Sequence, residues 1–387
     1  MILRRQPPVA APIDVAAIGS AILGSIRRTA APTRQARGLI ERHFDTSEVV
    51  LTDSGTSALV VALRLSVPPA GTVALPAFAC VDLTAAALRA GVRVRLYDID
   101  PVTLGPDLAS VEHALDRGAD AVVVAHLYGY PADVPGVRML AARRGVPVIE
   151  DAAQGAGGML HGRRLGTLGD LSVLSFGRGK GLCAGAGGAL LAFGERWTKE
   201  LSTVTLPAPN RGWPALAKVA AQWALGRPSL YTIPSMVPGL RLGEMVYHPA
   251  GEPASMSLGP CSLLESALAL EPADLRVRRS SAQAYDAMSR SVGGLATTAT
   301  LPSAEPGYLR YPLRDVGETR GSDARLGILC SYPNTLAEQE ELRPILVPDT
   351  APLPGASTLG RTLMTLPTHR FVRDADRTRI AAWMAGG

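Results

Sequence analysis

Two short apolar runs within residues 146–188, VPVIEDAAQGAGGMLHGRRLGTLGDLSVLSFGRGKGLCAGAGG, end in side chains that could do chemistry. The run at 146–149 ends in Glu150 and Asp151, and the run at 171–174 leads through Ser175 and Phe176 to Lys180 among glycines. Short apolar runs bounded by glycine and charge read as buried strands, and in open α/β sheets the residues at strand ends line the ligand crevice. Lys180 also stands out on composition, because Lys180, Lys199 and Lys218 are the only lysines among 39 Lys plus Arg residues. A guanidinium stays protonated and cannot form a Schiff base, whereas a lysine amine can be tuned to lose its proton. Lys199 and Lys218 fall in polar or helical surroundings and are read as solvated.

A second feature lies upstream. The short strand 49–51 runs into Thr52-Asp53-Ser54-Gly55-Thr56-Ser57 and then into a helical pattern at 58–65. Strand, Gly/Ser/Thr turn and helix place free backbone N–H groups and hydroxyls at a helix N-terminus, which is a ready phosphate site. The same residues also serve as an ordinary N-cap, so the turn alone does not decide between the two. A carboxylate and a lysine at strand ends, with a phosphate cup elsewhere, form the set that pyridoxal phosphate needs.

The elements that must position these groups alternate along the chain. Strands are expected at 72–75, 92–97, 119–125 and 146–149, with helices at 81–90, near 107–116 and at 134–144. That alternation predicts a mainly parallel sheet covered by helices. Asp98 and Asp100 read as strand-end caps, and His126 as either structural or ligand-facing. The alternation stops after the strand 187–193, and residues 200–255 read as an irregular excursion with one short helix packed on its own domain. A long helical pattern at 256–291 opens a second region, with strand-like pieces at 308–313 and 328–332 and a closing helix at 374–384. The expected division is a large α/β domain at 1–255 and a small C-terminal α+β domain at 256–387.

Composition excludes several classes. With 387 residues, 47% hydrophobic and 19% charged, the chain is long enough for a large core and is not of disordered type. Its four cysteines (Cys80, Cys183, Cys261, Cys330) show no CxxC spacing, which argues against zinc or a disulfide framework and for a reducing cytoplasm. A net charge of +5 spread along the chain is no nucleic-acid footprint, and no run approaches a membrane span.

At this level the chain resembles the DegT/StrS-type sugar aminotransferases, pyridoxal-phosphate enzymes of fold type I. The resemblance rests on SGTSAL at 54–59, DID at 98–100, HLYGYPAD at 126–133 and VIEDAAQGAG at 148–157. It continues with GDLSVLSFGRGK at 169–180, GGAL at 187–190 and LPTHRF at 366–371. It implies that Lys180 holds the cofactor as a Schiff base and serves as acid/base, and that Asp151 pairs with the pyridine nitrogen. It further implies that Gln154 bonds the phenolic oxygen and that Gly55, Thr56 and Ser175 hold the phosphate. Cys80 takes the cofactor-contacting position where the family carries a stacking aromatic. The family's GEGG is here Gly185-Ala186-Gly187-Gly188, and its GYNxR segment is replaced by Gly243-Glu244-Met245-Val246-Tyr247.

The implied activity is ping-pong transfer of an amino group from glutamate, or a similar donor, to a nucleotide-linked keto-sugar by a cytoplasmic homodimer. Amino-sugar biosynthesis for polysaccharides or secondary metabolites would be its setting, with neither nucleic acid nor membrane as partner and no metal. The alternatives are a related enzyme acting on a non-sugar acceptor or by elimination, and a catalytically silent sugar-nucleotide-binding relative.

Overall fold

The computed structural model describes residues 4–27, 31–236, 246–330, 332–349 and 351–386. Its central sheet is built from β1 (Glu48–Thr52), β2 (Thr72–Pro76), β3 (Arg93–Tyr97), β4 (Ala121–Ala125), β5 (Val148–Asp151), β6 (Leu171–Ser175) and β7 (Gly188–Ala192). The strand order is β1-β7-β6-β5-β4-β2-β3. β7 pairs antiparallel with both β1 and β6, and the remaining pairs are parallel. The unbroken apolar sequence of β4 follows from burial on both faces, since Val122, Val123 and Val124 are all fully buried.

Helices α1 (Val15–Arg27), α2 (Ala31–Phe44), α3 (Gly55–Ser66), α4 (Asp82–Ala90), α5 (Leu108–Asp116) and α6 (Val134–Ala142) accompany the strands. Their boundaries have local causes. The Ser54, Asp107 and Asp133 side chains accept N–H groups at the starts of α3, α5 and α6, and Gly91 closes α4 in the left-handed region at φ 74°.

The expected excursion at 200–255 is more ordered than its composition suggests. α7 (Glu195–Ser202) and α8 (Trp213–Leu225) precede a further helical turn at Thr232–Ser235, and α8 packs against α1. Pro and Gly lower helix propensity in an interior but suit its ends, and here Gly212 and Pro214 simply start α8. Lys199 and Lys218 are exposed on these helices, as read from the sequence.

α9 (Leu258–Ser289) leads to an antiparallel sheet of β8 (Leu295–Thr297), β9 (Tyr311–Asp315), β10 (Leu329–Cys330) and β11 (Leu363–Leu366), ordered β8-β9-β11-β10. α10 (Pro354–Thr362) and α11 (Asp374–Met384) complete the tail. Tyr285, Tyr311, Leu313 and Trp383 share a core of their own, but Leu336, Leu342, Ala356 and Leu359 join the core of the central sheet. Asp98 anchors that return, because its carboxylate accepts the Gly355 and Ala356 N–H groups at 2.8 Å each and so caps α10. Asp100 binds its own turn, through Val102 N and the Thr103 hydroxyl.

The glycine pair before β7 has a steric cause. A Cβ on Gly188 would lie 2.6 Å from Gly55 N and from the Ser54 carbonyl, so only glycine lets β7 approach the start of α3 this closely. Gly188→Ala is therefore expected to destabilise the fold by about 1–3 kcal/mol through overpacking. Chemical denaturation checks this, and an unchanged midpoint would contradict the close approach.

Candidate active site

Because β1, β4, β5 and β6 run in one direction, their C-terminal ends open on one edge of the sheet. Asp151 ends β5 opposite Ala125 of β4 and Val173 of β6. Ser175 ends β6, and the turn after β1 starts α3. Within that turn the Ser54 hydroxyl accepts Ser57 N–H at 3.0 Å. A Cβ on Gly55 would lie 2.8 Å from Ser175 Cβ and 3.0 Å from its Oγ. The missing side chain thus brings the Ser175 hydroxyl against the α3 N-terminus, where Thr56 follows. Gly55, Thr56 and Ser175, proposed from sequence to hold a phosphate, meet at one helix end.

Asp151, Lys180 and Cys80 form an electrostatic group. Burial raises the Asp151 pKa, opposed by the Ala153 N–H it accepts at 3.0 Å and by the charge of Lys180. Burial also pushes up the Cys80 thiol, helped by Asp82 and opposed by Lys180. The thiol donates to Asp82 Oδ2 at 3.3 Å and presents a neutral group where an aromatic was expected. Gln154 is held at both ends of its amide. Its Oε1 accepts Tyr128 N–H at 2.9 Å, and its Nε2 donates to the Tyr332 hydroxyl at 2.8 Å.

Tyr332 escaped the sequence reading. It is buried and stacks on Tyr128 with ring centroids 5.7 Å apart and a 27° interplanar angle. Phe78 meets it edge-on at 5.3 Å. Residues 77–79 bend, and Phe78, two residues before Cys80, enters the aromatic cluster beside the site. Of the segment replacing GYNxR, Gly243, Glu244 and Met245 lie outside the described residues.

Glu150 and His126 explain each other. Both are buried, with Glu150 fully enclosed. Glu150 Oε1 accepts from Gly166 N at 2.6 Å and from His126 Nε2 at 2.8 Å. Its Oε2 accepts from Leu168 N at 2.7 Å, and from Gly169 N and the Ser172 hydroxyl at 2.9 Å. His126 Nδ1 accepts Ala132 N–H at 2.9 Å, which assigns the ring proton to Nε2. Burial alone would raise the Glu150 pKa, yet the His126 bond and the backbone donors outweigh it and hold the carboxyl below its usual range. His126 is therefore structural, and its own N–H ties the Asp151 carbonyl at 3.1 Å.

Comparison with known proteins places this geometry. Residues 34–208 match the DegT/DnrJ/EryC1/StrS aminotransferase family. The resemblance carried by the sequence motifs is thereby found independently. The UDP-N-acetyl-3-dehydro-alpha-D-glucosamine 3-aminotransferase of Acidithiobacillus ferrooxidans is 37% identical over 139 residues, which is 36% of this chain and 38% of that enzyme. The dTDP-4-dehydro-2,3,6-trideoxy-D-glucose 4-aminotransferase of Saccharopolyspora spinosa is 27% identical over 345 residues, 87% of this chain and 83% of that one. The solved structure of DesV from S. venezuelae superposes with a TM-score of 0.74 at 22% identity, covering 99% and 98% of the two chains. The fold is fold type I of the pyridoxal-phosphate enzymes, with a mainly parallel central sheet and covering helices, as expected.

The residues present fit that cofactor. The Gly55–Ser175 approach leaves a cradle that any Cβ would fill. The Gln154 amide already binds a phenolic oxygen, that of Tyr332. The charge of Lys180 lowers the pKa of the buried Asp151 carboxylate, the partner needed at the ring nitrogen.

Because the Glu150 pKa is lowered on folding, its contribution to stability is present above the ordinary glutamate value of about 4.3 and is lost as pH falls through the folded value. Glu150→Ala is expected to cost about 3–5 kcal/mol, the usual penalty for breaking a buried pair. Glu150→Gln should also flatten the acid side of the stability-against-pH curve. Urea unfolding between pH 3 and 7 measures both, and parallel curves for wild type and Glu150→Gln would refute the assignment.

Proposed function

We propose that the chain is a pyridoxal-phosphate-dependent aminotransferase that moves an amino group from glutamate, or a similar donor, to a nucleotide-linked keto-sugar. One observation carries this reading most: Asp151 ends β5 beside β6, and the end of β6 supplies Ser175 of the Gly55–Ser175 cup and leads into the Lys180 loop. The named activities of the Acidithiobacillus and Saccharopolyspora relatives support the substrate class.

In this reading Gly55, Thr56 and Ser175 bind the phosphate through backbone N–H and hydroxyl groups, with the α3 N-terminus adding its positive end. Asp151 faces the pyridine nitrogen. Its carboxylate is disfavoured by burial until a cation faces it, so a protonated ring nitrogen relieves the same cost that raises its pKa. Gln154 offers an amide N–H to the phenolic oxygen. Bound there, pyridoxal phosphate supplies an aldehyde carbon that accepts an amine and a ring that spreads the resulting electron pair. The Lys180 amine secures the cofactor, and once released it takes and returns a proton at Nζ. The neutral Cys80 thiol packs without bringing a charge.

The active unit is a homodimer in this reading. Ile22, Leu23 and Ile26 of α1 and Trp213 and Leu225 of the adjoining α8 leave large apolar side chains exposed, a face suited to a second copy. Residues 1–255 form the large domain and 256–387 the small one. Four free cysteines accord with a reducing cytoplasm, and among the described residues no helix is long and apolar enough to cross a membrane.

Lys180→Ala is expected to abolish the visible absorbance band of the purified protein and to slow amine transfer by about 100-fold or more. Borohydride treatment of the wild type should leave the cofactor mass on the peptide containing residue 180. An unmodified peptide, or an unchanged rate in the variant, would refute the function.

Asp151→Asn probes the ring-facing role separately. The folded-state pKa of Asp151 is raised, so its protonated form is favoured at low pH and the charged form is a burden once pH exceeds the folded value. Cofactor-free Asp151→Asn protein is therefore expected to be at least as stable as wild type at pH 7 and to show a smaller drop in stability between pH 4 and 7. Amine transfer should fall sharply at the same time. Thermal melts of both proteins across that range check the first point, and a destabilised variant at pH 7 would contradict it.

A further inference from the structure

Lys180 stands between Gly179 and Gly181, in a loop that also holds Gly177, Gly185 and Gly187. Glycine leaves the backbone free and offers no side chain to pack, so the residues beside this lysine do little to hold it. The far end of the loop is gripped by α8, where a Cβ on Gly185 would lie 3.2 Å from Ala215 O and closer still to Val219 Cγ2. The near end is met by the start of the chain. A Cβ on Gly179 would lie 2.7 Å from Val9 Cγ2. Val9, Ala10 and Ala11 line one small cavity with Gly179, Lys180 and Gly181, and its free space of about 10 Å³ has room for about one water.

The same segment is fastened to the tail. The Gln6 N–H donates to Arg325 O at 2.9 Å, and the Gln6 amide donates to Phe371 O at 3.0 Å. His369 Nε2 donates to Pro7 O at 2.8 Å while its Nδ1 accepts the Phe371 N–H at 3.3 Å, which assigns the neutral tautomer. Arg310 Nη1 donates to Pro8 O, and its Nη2 and Nε hold Gly327 O at 2.9 Å and the Thr365 hydroxyl at 2.7 Å. His369 and Arg310 are both buried. Two successive carbonyls are thus bound by the tail, and the next residue, Val9, meets the lysine loop. Proline fixes φ at about −65°, so Pro7 and Pro8 lose little freedom when the segment is tied down. An N-terminus fastened for stability alone needs the tail bonds and has no need of Val9 on Gly179.

We propose that residues 6–11 are a strap that positions the reactive amine: Val9, anchored to the tail through His369 and Arg310, fixes the Gly179–Gly181 backbone and with it Lys180. The role of the amine rests on the aminotransferase reading, which the strap deepens. A group that must meet one carbon has to be held within about 0.5 Å of its working place by packed neighbours. The glycines beside Lys180 supply no such packing, and Val9 does.

The test uses the full chain, with and without pyridoxal phosphate, as wild type, Val9→Ala, Val9→Thr, His369→Leu and His369→Gln. Threonine keeps the shape of valine, and glutamine keeps an N–H for Pro7 O. Without cofactor, the Lys180 and Ala184 N–H groups, bonded to Gly177 O and Phe176 O, are read by hydrogen exchange. Their exchange is expected to speed up about tenfold or more in Val9→Ala and His369→Leu, and to stay near wild type in Val9→Thr and His369→Gln. Exchange in β4 should not change in Val9→Ala. With cofactor, kcat for amine transfer in Val9→Ala should fall about tenfold or more, with KM for glutamate little altered. Loop exchange in Val9→Ala equal to wild type would overturn the proposal. So would a rise shared evenly with β4, which would make the strap a support of the whole fold, or a change confined to KM. Should His369→Leu fail to fold, Val9→Ala decides alone. A wild type that takes up no pyridoxal phosphate would sink the aminotransferase reading instead, and faster loop exchange in Val9→Ala would still bear out the hold of the strap on Lys180.

Discussion

A carboxylate sealed from water needs donors from the protein, and the backbone between β5 and β6 is wound around Glu150 to provide them. Three consecutive-region N–H groups, from Gly166, Leu168 and Gly169, together with Ser172 and His126, converge on its two oxygens. The other two donors come from the neighbouring strands of the edge on which the site is built. His126 follows β4, and Ser172 lies within β6. The next residue after Glu150 is Asp151, so the end of β5 is held by its neighbour's hydrogen bonds before any ligand arrives. Preorganisation of this kind places a functional side chain without asking it to hold itself.

The two adjacent acids show how environment separates like groups. Glu150 has several donors and is kept anionic, whereas Asp151 accepts the Ala153 N–H and feels the Lys180 charge, and burial wins. A site that binds a cationic ring nitrogen suits the second case. A purely structural anchor suits the first. The contrast follows from local hydrogen bonding, because both residues share a strand end and the same chemistry.

The tail is the other determinant of the site. Asp98 caps α10 and Leu336 N donates to Ala77 O, and just before Leu336 the chain carries Tyr332 to Gln154. Tyr128 and Tyr332 both adopt left-handed backbone, with φ of 56° and 48°. Such conformations cost non-glycine residues about 1–3 kcal/mol and persist where surroundings impose them. Here they bring the two rings into a stack beside the Gln154 amide.

Much of this was legible in the residues themselves. Apolar runs between glycines and charges located the strands of the central sheet, because a strand buried on both faces has no polar positions to spare. The lone lysine among glycines and the SGTS turn were legible because Schiff-base chemistry and phosphate binding demand particular residue types. The short helix expected within 200–255 is α8, whereas α7 was not legible, since a Gly at a helix start looks the same in sequence as a Gly in a loop. Tyr332 and Val9 were equally hidden: an aromatic after a short strand and one valine among many carry no local signal. Their meaning comes from contacts across more than a hundred residues, to Gln154 and Gly179. Sequence alone determined which chemical groups the chain possesses and which strand ends display them. Only the tertiary structure decided which buried charges are satisfied and which segment packs on the Lys180 loop, because partners are chosen by proximity in space.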